Sequence, residues 1–182
     1  SEFVSLLDKL PAGPHDLSVL WHVLPTGSTT YFVGSREVLA WNGSFMKAFP
    51  ITTERRLSGF LVHGEVVVFS STDGAFVFQN GEPPRQVISA QVMQQWLPLW
   101  VEHNTSEWLG IGNHGLVRFS ETDAQRIGAE LEPALRSSVV SCAVRLSDSV
   151  FAAGTLNNGI VILDKSGHLV RQFTLADGLP AK

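Results

Sequence analysis

The chain is poor in the residues that most often carry cross-links, metals or nucleic acid. Cys142 is the one cysteine among 182 residues, so no disulfide forms within the chain and no thiolate metal site can be built. Only 16% of the residues are charged, and the 13 Lys and Arg are scattered, with no run longer than Arg55-Arg56. Surfaces that bind nucleic acid concentrate basic residues on one face, so we expect no nucleic-acid partner.

Long apolar runs are also absent. No window reaches the roughly 18 apolar residues of a membrane-spanning helix, so we expect no direct membrane contact from this chain. The start of the chain, Ser1-Glu2-Phe3, lacks the basic and then apolar stretches of a signal peptide. A segment from the interior of a longer protein would lack them too, so the compartment stays open at this point.

Hydrophobic residues are plentiful, at 44%, and they are accompanied by 16 glycines and 9 prolines. High hydrophobicity with little charge excludes a disordered tail. The glycines and prolines are typical of many short strands joined by tight turns. A chain of 182 residues exceeds a typical domain of about 100–150 residues but still fits one large all-β domain.

One motif recurs four times along the chain. Each copy is an apolar strand, a small residue, a short polar turn and a second apolar strand that ends in another turn. The copies cover residues 29–43, 65–81, 106–121 and 149–167. The small residues are Gly34, Ser70, Gly110 and Gly154. Their spacing drifts around roughly 40 residues, which is the repeat length of β-propeller blades.

Each repeat has room for four strands. In the first repeat we expect residues 19–24 as the innermost strand, followed by 31–34, 37–41 and 45–49. Turns such as Asn42-Gly43 and Asp73-Gly74 support this interpretation, because these dipeptides favour the positive φ that hairpin turns demand. The pattern therefore predicts blades of four antiparallel strands.

The predicted fold is all-β, a partial β-propeller of four four-stranded antiparallel blades that belongs to a larger propeller of about seven blades. The approximate blades are residues 12–50, 51–90, 91–134 and 135–175, and residues 176–182 begin the next blade. Repeats bury their faces only against neighbours, so each end blade of an incomplete ring leaves an apolar side open. We therefore expect two kinds of partner: the missing blades, and a second copy bound as a homodimer or through sheet edges.

Two repeats and the end of the chain carry short signatures. They are Trp108-Leu109-Gly110-Ile111 with Gly115-Leu116, Ala153-Gly154-Thr155 with Gly159-Ile160, and an aromatic-Thr…Asp-Gly-Leu-Pro phrase over residues 173–180. These motifs resemble the two-component-regulator propeller family, the sensor domains of bacterial hybrid histidine kinases and related signalling proteins. Residues 3–11 resemble the link between blades in that family, so we expect both ends of this chain to lie inside a longer protein.

The resemblance implies a function and a location. It implies a periplasmic signal-input module in the N-terminal region of an inner-membrane protein, with any kinase or cyclase output outside this chain. Such a module binds a small-molecule or glycan signal and has no catalysis of its own. The alternative is a structural or protein-interaction propeller without a small ligand.

A glycine string at residues 110–115 matches the G-x-G-x-x-G pattern of dinucleotide-binding folds. In those folds the glycines open a helix, whereas Leu116-Val117-Arg118-Phe119 predicts a strand. Glycines in a hairpin turn are therefore the favoured interpretation. No zinc-protease histidine pair and no nucleophile elbow is present, so we expect no catalytic residue, metal or cofactor.

The candidate ligand-binding residues lie on the predicted innermost strands, which line the channel of a propeller. Trp21 and Trp100 are the aromatic candidates, and Glu102 and His103 complete a polar-aromatic cluster beside Trp100. Cys142 lies on another predicted innermost strand, in an apolar stretch where we expect a buried and inert thiol.

Overall fold

The structure is a computed structural model that describes residues 5–16, 19–51, 57–93, 96–103, 107–112, 115–128 and 139–179. Helix in these ranges is limited to α1 (Ala90–Met93) and two 3-10 turns, Leu7–Lys9 and Leu175–Asp177. None of the described helices is long and apolar enough to span a membrane.

The described strands form four antiparallel sheets, and each strand pairs with its neighbour in sequence. The first sheet comprises β1 (Leu20–Thr26), β2 (Thr29–Gly34), β3 (Glu37–Trp41) and β4 (Met46–Pro50). The second comprises β5 (Leu57–Val62), β6 (Glu65–Ser70), β7 (Gly74–Phe78) and β8 (Arg85–Ser89).

The other two sheets repeat the arrangement. The third comprises β9 (Pro98–His103), β10 (Trp108–Gly112), β11 (Gly115–Phe119) and β12 (Ala124–Ile127). The fourth comprises β13 (Val140–Ser147), β14 (Val150–Thr155), β15 (Ile160–Asp164) and β16 (Leu169–Phe173). The predicted all-β class and the four four-stranded antiparallel blades are confirmed.

Turn chemistry explains where the strands reverse. The side chain of Asn42 accepts hydrogen bonds from the backbone N–H of Ser44 and of Phe45, both at 3.0 Å, which closes the turn before β4. Gly74 has φ +105°, and a Cβ there would overlap the carbonyl oxygen of Ile88. The turn between β6 and β7 therefore requires glycine at this position.

The chain divides into two compact units, Ser1–Gln95 and Trp96–Lys182. In the first unit, Tyr31 and Val33 of β2 pack against Val66 and Val68 of β6, which places one side of the first sheet on the second. The buried Tyr31 hydroxyl accepts a hydrogen bond at 2.8 Å from the backbone N–H of Gly81 in the second sheet's last turn. Burial of these side chains ties the two sheets together.

The second unit is built in the same way from the third and fourth sheets. Ile111 and Leu116 of the third sheet pack on Phe151 and Ala153 of the fourth, with Val161 and Leu163 completing the core. Both units are therefore pairs of four-stranded sheets packed face to face through apolar side chains.

Candidate functional site

The candidate residues lie on strands that form one edge of their sheets. β1 and β9 each pair with a neighbour on one side only, as do β5 and β13. Trp100, Glu102 and His103 lie on β9 in the second unit, and Trp21 lies on β1 in the first. In a propeller this edge of each blade faces the central channel.

Trp100 and Glu102 project toward the fourth sheet. The Trp100 ring lies 4.9 Å from the ring of Phe151, at an interplanar angle of 57°. Its contacts with the apolar core leave the indole only partly exposed. Two positions further along β9, Glu102 Oε2 accepts a hydrogen bond at 2.6 Å from Arg145 Nη1 of β13. The spacing of two residues explains why both side chains share this side of the sheet.

Arg145 joins two carboxylates into what we call the Arg145 cluster, consisting of Glu102, Arg145 and Asp148. Arg145 donates from Nη2 to Asp148 and from Nε to the carbonyl oxygen of Ser147, the latter at 3.0 Å. The hydrogen bond to Asp148, together with the charge of Glu102, raises the pKa of Arg145. About a third of the Arg145 and Glu102 side chains stays exposed, at 36% and 37%. The cluster thus presents two carboxylates and one guanidinium to solvent.

His103 does not join this cluster. Its ring stacks on the indole of Trp108 with centroids 4.1 Å apart, and Trp108 in turn lies parallel to Phe119 at 6.2 Å. Successive residues of a strand point to opposite sides of the sheet, so His103 and Glu102 are directed apart. The structure therefore divides the predicted polar-aromatic cluster, with Trp100 and Glu102 on one side and His103 on the other.

Trp21 lies in the first unit, where the pairing of β1 with β2 is irregular between Leu20 and His22. Its side chain is 45% exposed. The neighbouring His22 ring lies 6.1 Å from Phe60, and burial lowers the pKa of His22 below its ordinary value. Trp21 is thus an accessible aromatic surface on a sheet edge, beside a half-buried imidazole.

The glycine string has a structural role that differs in part from the prediction. Gly115 opens β11 with φ +85°, and a strand follows it, which excludes the helix of a dinucleotide site. The interpretation of these glycines as hairpin-turn residues is wrong for Gly110, because β10 runs from Trp108 to Gly112 and Gly110 lies inside it. Gly110 and Gly112 lie beside Trp96 and leave room for its indole ring. The string's residues 113 and 114 lie outside the described residues.

Cys142 is exposed, so the prediction of a buried thiol is wrong. The neighbours of Cys142 in β13 show why. Ala143 packs against the core that the third and fourth sheets share, and Cys142 alternates with it. Its side chain therefore points to the other side of the sheet, where Val144 is also exposed.

Sequence reasoning missed Arg145 and Asp148. The available signal was coarse: β13 is the counterpart of β9 in the next repeat, and it carries a cation, Arg145, whose charge is opposite to that of Glu102. Among the described residues no group of three His, Cys, Asp or Glu side chains is placed to hold a metal ion. The Arg145 cluster with Trp100 is therefore the candidate site, and Trp21 is a separate candidate in the other unit.

Comparison with solved structures defines the class of fold. The chain is similar to the extracellular domain assigned to the hybrid two component system BT3049 from B. thetaiotaomicron, with a TM-score of 0.66, 12% identity and coverage of 90% of this chain and 23% of that one. It is also similar to the WD40 domain of Pan2 from Neurospora crassa, with a TM-score of 0.54, 15% identity and coverage of 80% and 46%. No protein-family profile and no curated protein matches the chain.

These identities are too low to transfer a function, and the likeness establishes the fold alone. The four sheets are blades of a β-propeller, and the chain is a partial propeller. It spans about a quarter of the length of the BT3049 domain and less than half of the Pan2 domain.

Proposed function

We propose that this chain is the signal-input part of a bacterial two-component or related signal-transduction protein, that it senses a ligand, and that it has no catalysis of its own. The observation that carries the proposal is the fold match to the extracellular domain of a hybrid two component system over 90% of this chain. The signatures around Gly110 and Gly154 support it, since they resemble the two-component-regulator propeller family. By the same reasoning the module lies in the periplasm.

The Arg145 cluster supports a small-molecule or glycan signal. Glu102 and Asp148 accept hydrogen bonds, and a ligand rich in hydroxyl groups supplies donors for them. Partly exposed indole surface at Trp100 offers an apolar contact next to these acceptors. This combination of an aromatic surface and a few convergent polar groups is typical of ligand sites.

Thermal-shift screening against glycans and small metabolites tests the proposal. A ligand present at about 100 times its Kd stabilises the folded state by about 2.7 kcal/mol and so raises Tm by several degrees. The shift should be lost in Glu102→Gln. It should persist in Glu107→Gln, whose carboxylate pairs with Arg118 at 3.5 Å on the same sheet. A panel without any shift, or equal losses in the two variants, would count against a ligand at this cluster.

A protein-interaction propeller is the second candidate function, and exposed apolar side chains favour it. Val144 and Leu146 of β13 are 53% and 57% exposed. If this function holds, no ligand of the thermal-shift panel raises Tm. A partner protein is then captured from a periplasmic extract by the unmodified chain but not by Leu146→Glu. Capture that survives Leu146→Glu would argue against this surface.

A further inference from the structure

The segment formed by residues 5–16 covers one side of the first sheet. Its leucines and four side chains of the sheet line an open apolar pocket of about 120 Å³. The lining residues are Leu6, Leu7, Leu10, Leu20, Phe32, Leu39 and Met46. Leu39 and Met46 are buried, whereas Leu7 is 64% exposed, so the cover is a single thin layer.

This side of the first sheet is the one that faces away from the second sheet. Phe32 alternates along β2 with Tyr31 and Val33, whose side chains pack on the second sheet. The corresponding side of the second sheet carries Val66 and Val68, and there it packs on the sheet before it. The segment thus occupies the position that a preceding blade would take.

A charged contact fastens the segment to β3. Glu37 Oε2 lies 3.0 Å from His15 Nδ1, and Glu37 Oε1 accepts a hydrogen bond at 2.9 Å from the backbone N–H of Asp16. His15 Nε2 lies 2.9 Å from the carbonyl oxygen of Pro11. The side chains of His15 and Glu37 are only 12% and 9% exposed. The contact therefore lies largely out of water, at the point where the segment leaves the sheet.

Both ring nitrogens of His15 face acceptors. A neutral imidazole has one N–H and satisfies one acceptor, whereas the imidazolium donates to both. The other charged groups at this contact are Asp16 and Arg36, whose side chains lie 3.9 Å apart and are more exposed. The Glu37 hydrogen bond, helped by the Pro11 carbonyl, raises the pKa of His15 above its ordinary value of 6.5.

We propose that residues 5–16 form a pH-dependent strap, which covers the blade-docking side of the first sheet while His15 is protonated and leaves it when His15 loses its proton. A raised pKa in the folded state means that the stabilisation is complete below pH 6.5 and is lost as the pH rises through the higher folded value. Release exposes Phe32, Leu39 and Met46 to another blade. This proposal is independent of the proposed ligand-sensing function.

Hydrogen exchange measured by mass spectrometry between about pH 5 and pH 9 tests the strap. The reporters are the amides of Lys9, Leu10 and Asp16, which are hydrogen-bonded while the strap is seated. After correction for intrinsic exchange, their protection should fall above pH 6.5. The fall should be about tenfold for each unit by which folding raises the pKa of His15. Peptides from residues 57–89 should keep their protection.

Three variants separate the strap from other titrations. His15→Gln should remove the pH dependence, and Glu37→Gln should move the midpoint down toward 6.5. His168→Gln, which alters an exposed histidine 3.3 Å from Asp164 on the fourth sheet, should leave the transition unchanged. Burial lowers the pKa of His22 below 6.5, so His22 titrates below the pH range in which the strap is expected to be released.

Two results would overturn the proposal. One is protection of residues 5–16 that does not change across this pH range. The other is a transition that remains in His15→Gln. If His15→Gln also loses protection in residues 57–89, the substitution has disturbed the sheets and the second variant decides. A pH midpoint in Glu37→Gln equal to that of the unmodified protein would then reject the strap.

Discussion

At the scale of single residues, two glycines of β10 determine how Trp96 packs. The Trp96 side chain is buried, at 6% exposed, and lies across Gly110 and Gly112. A Cβ on Gly110 would lie 2.5 Å from Trp96 Cη2 and 3.2 Å from Phe119 Cε1. Real Cβ atoms essentially never lie within 3.0 Å of another atom, so neither glycine can be replaced without movement of the indole, and at Gly112 the carbonyl oxygen of Leu97 would have to move as well.

Gly110→Ala should therefore destabilise the protein, by about 1–3 kcal/mol, as expected for overpacking of a buried site. Urea denaturation measures this change in the free energy of unfolding. In a Trp96→Phe background the cost of Gly110→Ala should shrink, because phenylalanine lacks the Cη2 atom. Equal costs in both backgrounds would show that the indole is not the obstacle.

The sequence led to an incomplete account of these glycines for a physical reason. Glycine serves turns that need positive φ, as at Gly115, and it also serves places where another side chain must come close, as at Gly110. Only the position of Trp96 distinguishes the two uses. The separation of His103 from Glu102 differs in this respect, because the two residues are adjacent on one strand and alternation alone places their side chains on opposite sides of the sheet.

At the scale of elements, the Arg145 cluster joins the edge strands of two adjacent sheets. Arg145 on β13 holds Glu102 on β9, and it also holds Asp148 in the turn that follows β13. The remaining exposure of these groups means that salt screens their interaction. The cluster therefore sets the local geometry of the strands more than their stability.

Replacing either Glu102 or Arg145 should lower the urea midpoint slightly, with the larger effect for Arg145→Met, since Arg145 also binds Asp148 and the Ser147 carbonyl. The coupling free energy between Glu102 and Arg145, obtained from a double-mutant cycle, should vanish near 1 M salt, where the Debye length is about 3 Å. Glu107 and Arg118 pair within one sheet at 3.5 Å and provide the matched control cycle. Coupling that is unaffected by salt would contradict an ionic origin.

The sheets were more predictable from the sequence than the site was. Hairpins between neighbouring strands leave local signals, such as Asp73-Gly74 at the start of β7 and the apolar run Tyr31-Phe32-Val33 of β2. The site depends on contacts between repeats, such as that of Glu102 with Arg145, which are separated by 43 positions. No local pattern encodes such a contact.

At the scale of the whole molecule, apolar side chains remain accessible on the fourth sheet. Val144 and Leu146 of β13 are both exposed, and Val144 lies on the side of the strand opposite Ala143, which packs on the third sheet. An exposed apolar surface of this kind favours association. Self-association thus remains a prediction of the fold.

Sedimentation velocity over a range of concentrations should detect a dimer or larger species. The double variant Val144→Glu with Leu146→Glu should shift the population toward monomer, because buried carboxylates oppose docking. Leu61→Glu changes an exposed leucine of β5 in the second sheet and is the control. A wild-type chain that stays monomeric at the highest concentration would refute the prediction.

The position of the strap along the chain has a consequence for synthesis. Residues 5–16 leave the ribosome before β1, and His15 meets Glu37 only 22 positions later. Pairing between consecutive strands keeps contacts local, which favours folding that keeps pace with translation at about 5–20 residues per second. The leucines that shield the apolar side of the first sheet are therefore already synthesised when that side forms, so the side can be covered as soon as it folds.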